Sequence, residues 1–240
     1  MKKLVVLSGA GISAPSGIKT FRDQNGLWEN HRIEEVACPE AFMRNPQKVL
    51  DFYNQRRRQL LEIQPNRAHY ILAELEDHYE VKIITQNVDD LHERAGSTNV
   101  IHLHGELLKA RPVGKSEPVV SWKKDLNVGD TDSEGRQLRP HIVWFGENVP
   151  AIRKCMDCVQ QADICLVIGT SLQVYPAAGL IHYVSDQCQV YVVDPNLDVS
   201  FTARRNYFAL DAVEGMERLK RILVRSTEPS RGYDFRRFFE

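Results

Sequence analysis

The chain has 240 residues, enough for one large domain, or a main domain with a small insert, around a sizeable core. Lysine plus arginine number 31 against 32 for aspartate plus glutamate, so no global field draws the protein to nucleic acid or an anionic membrane, and recognition has to be local. Five cysteines, an odd number scattered along the chain, fit a reducing compartment better than a disulfide framework.

The opening MKKLVVLSGAG imitates a secretory leader, but Leu4 to Leu7 is too short for a leader core. No apolar run reaches the ~20 residues a membrane helix needs, and a cytoplasmic location is expected. Leu4 to Leu7 before Ser8-Gly9 reads as a first buried strand. Asn45-Pro46 caps a helix reaching about Ile63, and Ala68, Ile71, Leu72 and Leu75 form the apolar stripe of the next. Further buried strands are expected at Val81 to Ile84 before Thr85-Gln86-Asn87, Ile164 to Ile168 before Gly169, and Val190 to Val193 before Asp194-Pro195. The polar stretch 106–139, dotted with glycines, leaves this pattern. The tail, 226–240, mixes arginines with Tyr233, Phe235, Phe238 and Phe239 and reads as a loosely held terminus. Alternating strands and helices predict an α/β fold: a Rossmann-like, doubly wound parallel sheet with ligands beyond the carboxyl ends of its strands.

Those strand ends carry the chemistry. After the first come Gly9-Ala10-Gly11-Ile12-Ser13, a turn whose glycines let backbone approach a pyrophosphate. Taken alone, such a turn serves a ligand-free fold as well, and it departs from the G-x-G-x-x-G of dehydrogenases. After the second strand, Gln86, Asn87 and Asp89 supply an amide pair and a carboxylate, and His102 and His104 follow at the next turn. Together they could orient a polar ligand, stabilise developing positive charge and move a proton. Of the two, His104 is the expected proton carrier.

The blocks GAGISAPSGIKTFRD, TQNVDD, HLHGE, PHIVWFGEN and GTSLQVYPAAG, in that order over residues 9 to 179, resemble those of the sirtuins. The resemblance implies an NAD+-consuming protein-lysine deacylase in which a small second domain and the Rossmann-like domain enclose the cleft. Gly9, Ala10, Gly11, Ser13, Phe21 and Arg22 would then lie along NAD+, with Gly169, Thr170, Ser171 and Ala212 on its far side. Gln86, Asn87 and Asp89 would hold the ribose and carboxamide. His104 would be the general base, with Asn87 and Asp89 completing the catalytic set. Val143, Trp144, Phe145 and Gly146 would present backbone to an extended substrate peptide.

Tyr53 and Arg56, three residues apart on one helix face, could grip a carboxylate. The pair resembles the one in sirtuins that prefer succinyl, malonyl or glutaryl lysine; read without the resemblance, Arg56, Arg57 and Arg58 are better taken as a solvated face. The chain departs from most sirtuins in having no cysteine in 106–139, so no zinc is expected, and the insert must hold by packing around Trp122 or by docking. Cys155 and Cys158 read as a helical pair of small residues. Lys19 replaces a customary proline, and Asp194 and Asn196 compete as the ribose ligand. The expected division is 1–30, 80–105 and 140–225 for the NAD-binding part, 31–79 for the helical part of the small domain, 106–139 for the shortened insert and 226–240 for the tail. The same cleft could instead hydrolyse NAD+ or transfer ADP-ribose, or act as a non-enzymatic NAD or ADP-ribose sensor. Neither nucleic acid nor membrane is expected as a partner.

Overall fold

A computed structural model describes residues 1–19, 31–196 and 206–227. Strand β1 (Lys3–Ser8) runs into tight helical turns at Ala10–Ile12 and Ala14–Ser16. Helices α1 (Ile33–Val36), α2 (Pro39–Arg44), α3 (Pro46–Glu62) and α4 (Arg67–Glu74) precede β2 (Glu80–Thr85), α5 (Leu91–Arg94) and β3 (Val100–His102). Strands β4 (Gly105–Pro112), β5 (Val120–Ser121) and β6 (Leu138–Ile142) come next. The chain closes with α6 (Ile152–Gln160), β7 (Ile164–Ile168), a tight helix at Ala177–Tyr183, β8 (Gln189–Val193), β9 (Asn206–Phe208) and α7 (Ala212–Thr227).

Among the described residues, the main sheet has the order β3-β2-β1-β7-β8-β9, with every neighbouring pair parallel. Alternate side chains of each strand leave by opposite faces, and both faces are covered. Leu4, Val6, Ile83 and Leu166 pack with Ile71 and Leu72 of α4 and with Met216 and Leu219 of α7. Val5, Leu7, Ile84 and Val167 pack with Cys155 and Val159 of α6 and with Leu180 and Ile181. This is the doubly wound α/β arrangement expected from the apolar runs.

A second sheet, antiparallel in the order β5-β4-β6, packs on α1 to α3 as a separate core. Phe52, Tyr53 and Leu60 of α3 meet Leu107, Ala110, Leu138 and Ile142 there. Helix α4 lies within the expected small-domain stretch 31–79, but its stripe completes the core of the main sheet. Strand β6 overlaps the expected NAD-binding stretch 140–225, but Arg139 pairs with Arg111 and Ile142 with Gly105 in the small sheet.

The cysteine-free insert is tied down by a buried polar clamp rather than by Trp122 alone. Asn54 Nδ2 donates to the Leu126 carbonyl at 3.0 Å, and the Leu126 amide donates to Asn54 Oδ1 at 2.8 Å. Arg57, fully buried, donates to Asn54 Oδ1 at 2.6 Å and to the Leu107 carbonyl at 3.2 Å. Burial lowers the Arg57 pKa to about 10. The half-buried Trp122 adds an indole hydrogen bond to the Asp125 carbonyl at 3.1 Å. None of the five cysteines is in a disulfide, and Cys155 and Cys158 share α6. Among the described residues no helix is long and apolar enough to cross a membrane.

Candidate functional site

Strand order reverses between β1 and β7, and the turns that leave these two strands close on each other. The Gly9 amide donates to the Ile168 carbonyl at 3.1 Å and the Gly11 amide to the Gly169 carbonyl at 2.8 Å. A Cβ on Gly11 would stand 2.6 Å from Gly169 Cα, and Gly169 itself has a φ of 61°, so both positions require glycine. Above this junction opens a cleft of about 480 Å³, at the crevice where an open α/β sheet takes its ligands.

Gly9, Ala10 and Gly11 line one wall, and Gly169, Thr170 and Ser171 the facing one. Gln86, Asn87 and Asp89 form the floor, with His104 beside them on the wall, while Asp194, Asn196 and Ala212 close one end. Tyr53, Val143, Trp144, Phe145 and Gly146 line the other end, where the small sheet approaches. Four expected residues stand elsewhere or are not described. Ser13 is buried beneath the floor and does not line the cleft. Arg56 is not among the lining residues, because its guanidinium folds back over the Phe52 ring at 4.3 Å and donates to the Phe52 carbonyl. Phe21 and Arg22, like 228–240 of the tail, lie outside the described residues.

His104 Nδ1 lies 3.0 Å from the Gln86 carbonyl oxygen. A carbonyl only accepts, so Nδ1 carries the proton and Nε2 keeps its lone pair. Burial lowers the His104 pKa from its usual value, holding the ring neutral at physiological pH. A neutral imidazole with a fixed tautomer on the cleft wall has the form of a general base.

Beneath the floor runs a polar network of which the sequence revealed only part. Ser13 Oγ donates to Asp89 Oδ2 at 3.0 Å and accepts from Asn87 Nδ2 at 3.1 Å. Asp89 Oδ1 takes the Leu91 amide at 3.2 Å, yet burial pushes its carboxyl up to about 6. His69 Nε2 stands 3.5 Å from Ser13 Oγ, and His92 Nε2 stands 3.0 Å from Ser8 Oγ. Burial lowers His69 to about 4 and His92 well below its usual value, so both rings are neutral. His69 also completes the capping box of α4 with Asn66, whose Nδ2 donates to the Ile12 carbonyl at 2.8 Å. The Asn-x-x-His spacing was the available signal; its reach to the glycine-rich turn was not visible in one dimension.

At the small-sheet end, Trp144 is the organising residue. Its indole N–H donates to the Tyr53 oxygen at 2.9 Å, and its backbone amide donates to Glu147 Oε2 at 2.8 Å. Arg139 stacks on the indole at 3.3 Å and binds Glu147 through both ends of its fork, at 2.6 and 3.1 Å. Burial pushes the Tyr53 phenol up, so it stays protonated. The amides of Val143, Trp144 and Phe145 are engaged by the His104 carbonyl, Glu147 and the Ala37 carbonyl. A peptide laid along this segment therefore meets its carbonyl groups and Gly146 rather than a complete strand ladder.

The other end suits a sugar. Gln86 Nε2 donates to Thr170 Oγ1 at 3.0 Å, fixing the carboxamide across the cleft. Asp194 and Asn196 both reach the lining, with one Asp194 oxygen accepting the Asn196 amide at 2.8 Å. Glycine-rich backbone beside carboxylates and a carboxamide is a donor set that fits a dinucleotide, its phosphates on the turn and its hydroxyls on Asp89 and Asp194.

The Sir2 family model matches residues 9–176. An NAD-dependent protein deacylase of Helicobacter pylori (strain ATCC 700392 / 26695) is 62% identical over 195 residues, 81% of this chain and 85% of its own. Its counterpart in Bacteroides thetaiotaomicron is 51% identical over 231 residues, 93% and 99% of the two chains. Among solved structures, a Sir2 homolog–NAD complex superposes with a TM-score of 0.85 at 40% identity, covering 95% of this chain and 91% of that one.

Proposed function

The chain belongs to the Sir2 family and is an NAD+-dependent protein deacylase, and from that premise we propose that it removes acyl groups from protein lysines with His104 as general base, accepting succinyl, malonyl and glutaryl groups as well as, or in preference to, acetyl. NAD+ is the co-substrate: its glycosidic carbon takes the acyl oxygen as nicotinamide leaves, and one water completes the release of the amine, so that nicotinamide, an O-acyl-ADP-ribose and free lysine result. Gly9 to Gly11 and Gly169 to Ser171 bed its phosphates. Gln86, Asn87 and Asp89 orient the nicotinamide ribose. His104 Nε2 takes a proton from a ribose hydroxyl, and Asp194 with Asn196 and Ala212 meets the distal sugar. The single observation that carries this reading is the Nδ1 contact of His104 to the Gln86 carbonyl, which leaves Nε2 as the acceptor on the cleft wall.

The acyl end of the pocket is the Tyr53 and Trp144 corner. Tyr53 reaches the cleft from α3, and Arg56 lies one helical turn along the same face. An acidic acyl group would accept from the phenol and draw the guanidinium off the Phe52 ring to make a charge-assisted pair. Five cysteines outside any disulfide fit the reducing, cytoplasmic setting in which acylated proteins would be met.

Incubation with NAD+ and matched acetyl, succinyl, malonyl and glutaryl peptides, following peptide mass and nicotinamide together, tests the proposal. Acyl loss matched by nicotinamide release, faster for the acidic groups, supports it. Nicotinamide release with every peptide unchanged would assign the cleft to hydrolysis or ADP-ribose transfer, and no release would leave a sensor.

A further inference from the structure

The Gln86 to Val88 segment, which carries the polar floor of the cleft, is held from below by three donors in a row. His104 Nδ1 is 3.0 Å from the Gln86 carbonyl, His102 Nδ1 is 3.0 Å from the Asn87 carbonyl, and the Leu107 amide donates to the Val88 carbonyl at 2.8 Å. The two histidines, two residues apart, thus make the same backbone contact with successive residues. They differ at the other ring nitrogen. His104 Nε2 belongs to the cleft wall, whereas His102 Nε2 faces Glu93 Oε1 at 2.8 Å.

A neutral imidazole has one N–H, and His102 has an acceptor at each nitrogen: a carbonyl oxygen, which never donates, and a carboxylate. Only the imidazolium satisfies both. The groups around it agree with a retained charge. Glu93 and His92 face it from α5, Asp89 and Asp90 lie on the floor segment, and Glu106 approaches from β4, itself ion-paired with Lys109 at 2.7 Å. His92 is neutral, and the others on the near side are acidic. Burial disfavours the His102 charge, but Glu93, with the Asn87 carbonyl and Glu106, outweighs it and holds the ring's pKa above its usual 6.5. Glu93 is correspondingly held below the usual carboxylate value despite its own burial.

We propose that His102 is a charged positioning residue for the deacylation: its imidazolium ties the Asn87 carbonyl to the Glu93 carboxylate, and loss of that proton slackens the floor on which NAD+ lies. A neutral ring must give up one of its two bonds, and surrendering the Asn87 bond frees the peptide whose side chain anchors Ser13 and neighbours Asp89. The enzyme therefore has an alkaline limit set by Glu93. This rests on the cleft being the NAD+ site, so one measurement is chosen that does not.

Histidine-labelled protein titrated by NMR reads the His102 ionisation without substrate. The expected result is a ring titrating above 6.5 in the wild type, lowered by about one unit or more in Glu93→Gln, an exposed-side substitution that leaves the core untouched. In parallel, kcat/KM for NAD+ against pH should lose its alkaline limb at correspondingly lower pH in Glu93→Gln and recover it in Glu93→Asp. His102→Asn should abolish that movement and raise KM for NAD+ several-fold more than it lowers kcat. A wild-type His102 titrating at or below 6.5 overturns the proposal, as does a Glu93→Gln variant whose ring shifts while its alkaline limb stays put. If the wild type consumed no NAD+ with any acyl peptide, the reading of the cleft would fail, and the NMR result would still decide the charge on His102.

Discussion

The indole N–H of Trp144 ends on the phenol oxygen of Tyr53, 2.9 Å away, so a residue of the small-sheet loop fixes the one polar group that α3 places at the small-sheet end of the cleft. Both side chains are almost fully buried, at 3% and 0% exposure, so neither can turn to water for a substitute. Trp144→Phe removes the donor and keeps most of the volume. The loss of one neutral hydrogen bond is worth ~0.5–1.5 kcal/mol, a factor of roughly 2 to 10. Kinetics on paired peptides should show kcat/KM falling by that factor for succinyl-lysine and less for acetyl-lysine; equal losses would mean that the indole serves packing alone.

Arg56→Met tests the carboxylate grip directly. Methionine keeps the apolar stem over Phe52 while removing the charge. Because a charge-assisted hydrogen bond is worth ~1.5–3 kcal/mol, desuccinylation should fall by about 10-fold or more with deacetylation nearly unchanged. Parallel steady-state assays decide it, and equal decreases would remove Arg56 from acyl selection.

Much of this was legible in one dimension, for a physical reason. Strands buried on both faces must be apolar throughout, which is why Leu4 to Leu7, Val81 to Ile84, Ile164 to Ile168 and Val190 to Val193 announced themselves, and strand ends placed Gly9, Gln86, His104 and Gly169 together. What could not be read was which of two cores an amphipathic element serves: α4 and β6 carry the same apolar pattern either way. Nor did the sequence reveal Arg139 and Glu147 bracketing Trp144, since a charged pair eight residues apart looks like surface until the fold buries it.

His104→Ala should reduce turnover by the ~10²–10⁴-fold typical of a positioned general base while leaving NAD+ affinity close to wild type, measured by calorimetry. The wild-type pH profile follows from the same ring. Its pKa is lowered by burial, so the base form persists below the usual 6.5 and activity falls only as pH drops through that lowered value. Asp89, raised to about 6, becomes protonated over a neighbouring range and should steepen the acid limb. An acid limb centred above 6.5 would contradict both assignments.

Asp89→Asn separates stability from function. Burial raises the folded-state pKa of Asp89 from 3.8 to about 6, so the folded chain binds the proton more tightly than the unfolded one. Stability therefore falls as pH rises across that window, and the buried carboxylate costs something on the order of 1–3 kcal/mol at neutral pH. Asparagine carries no charge to desolvate. Thermal unfolding at neutral pH should give a Tm at or above wild type for Asp89→Asn, and activity should collapse. A markedly lower Tm would show that the hydrogen bonds from Ser13 and Leu91 outweigh the desolvation cost.

Asn54→Ala bears on how an insert without cysteines keeps its place. Asn54 takes both backbone groups of Leu126 and one arm of the fully buried Arg57, and truncation would orphan all three at once. Each unsatisfied buried group costs ~1–3 kcal/mol, with partial relief if water enters. The expected outcome is a loss of several degrees in Tm together with faster hydrogen exchange and proteolysis confined to 113–137, because the main-sheet core makes no use of the clamp. Treatment with EDTA should leave the wild-type Tm unchanged, since the anchor is an amide and a guanidinium. If EDTA instead reproduced the proteolysis pattern of Asn54→Ala, a metal would be holding the insert and the clamp would be secondary to it.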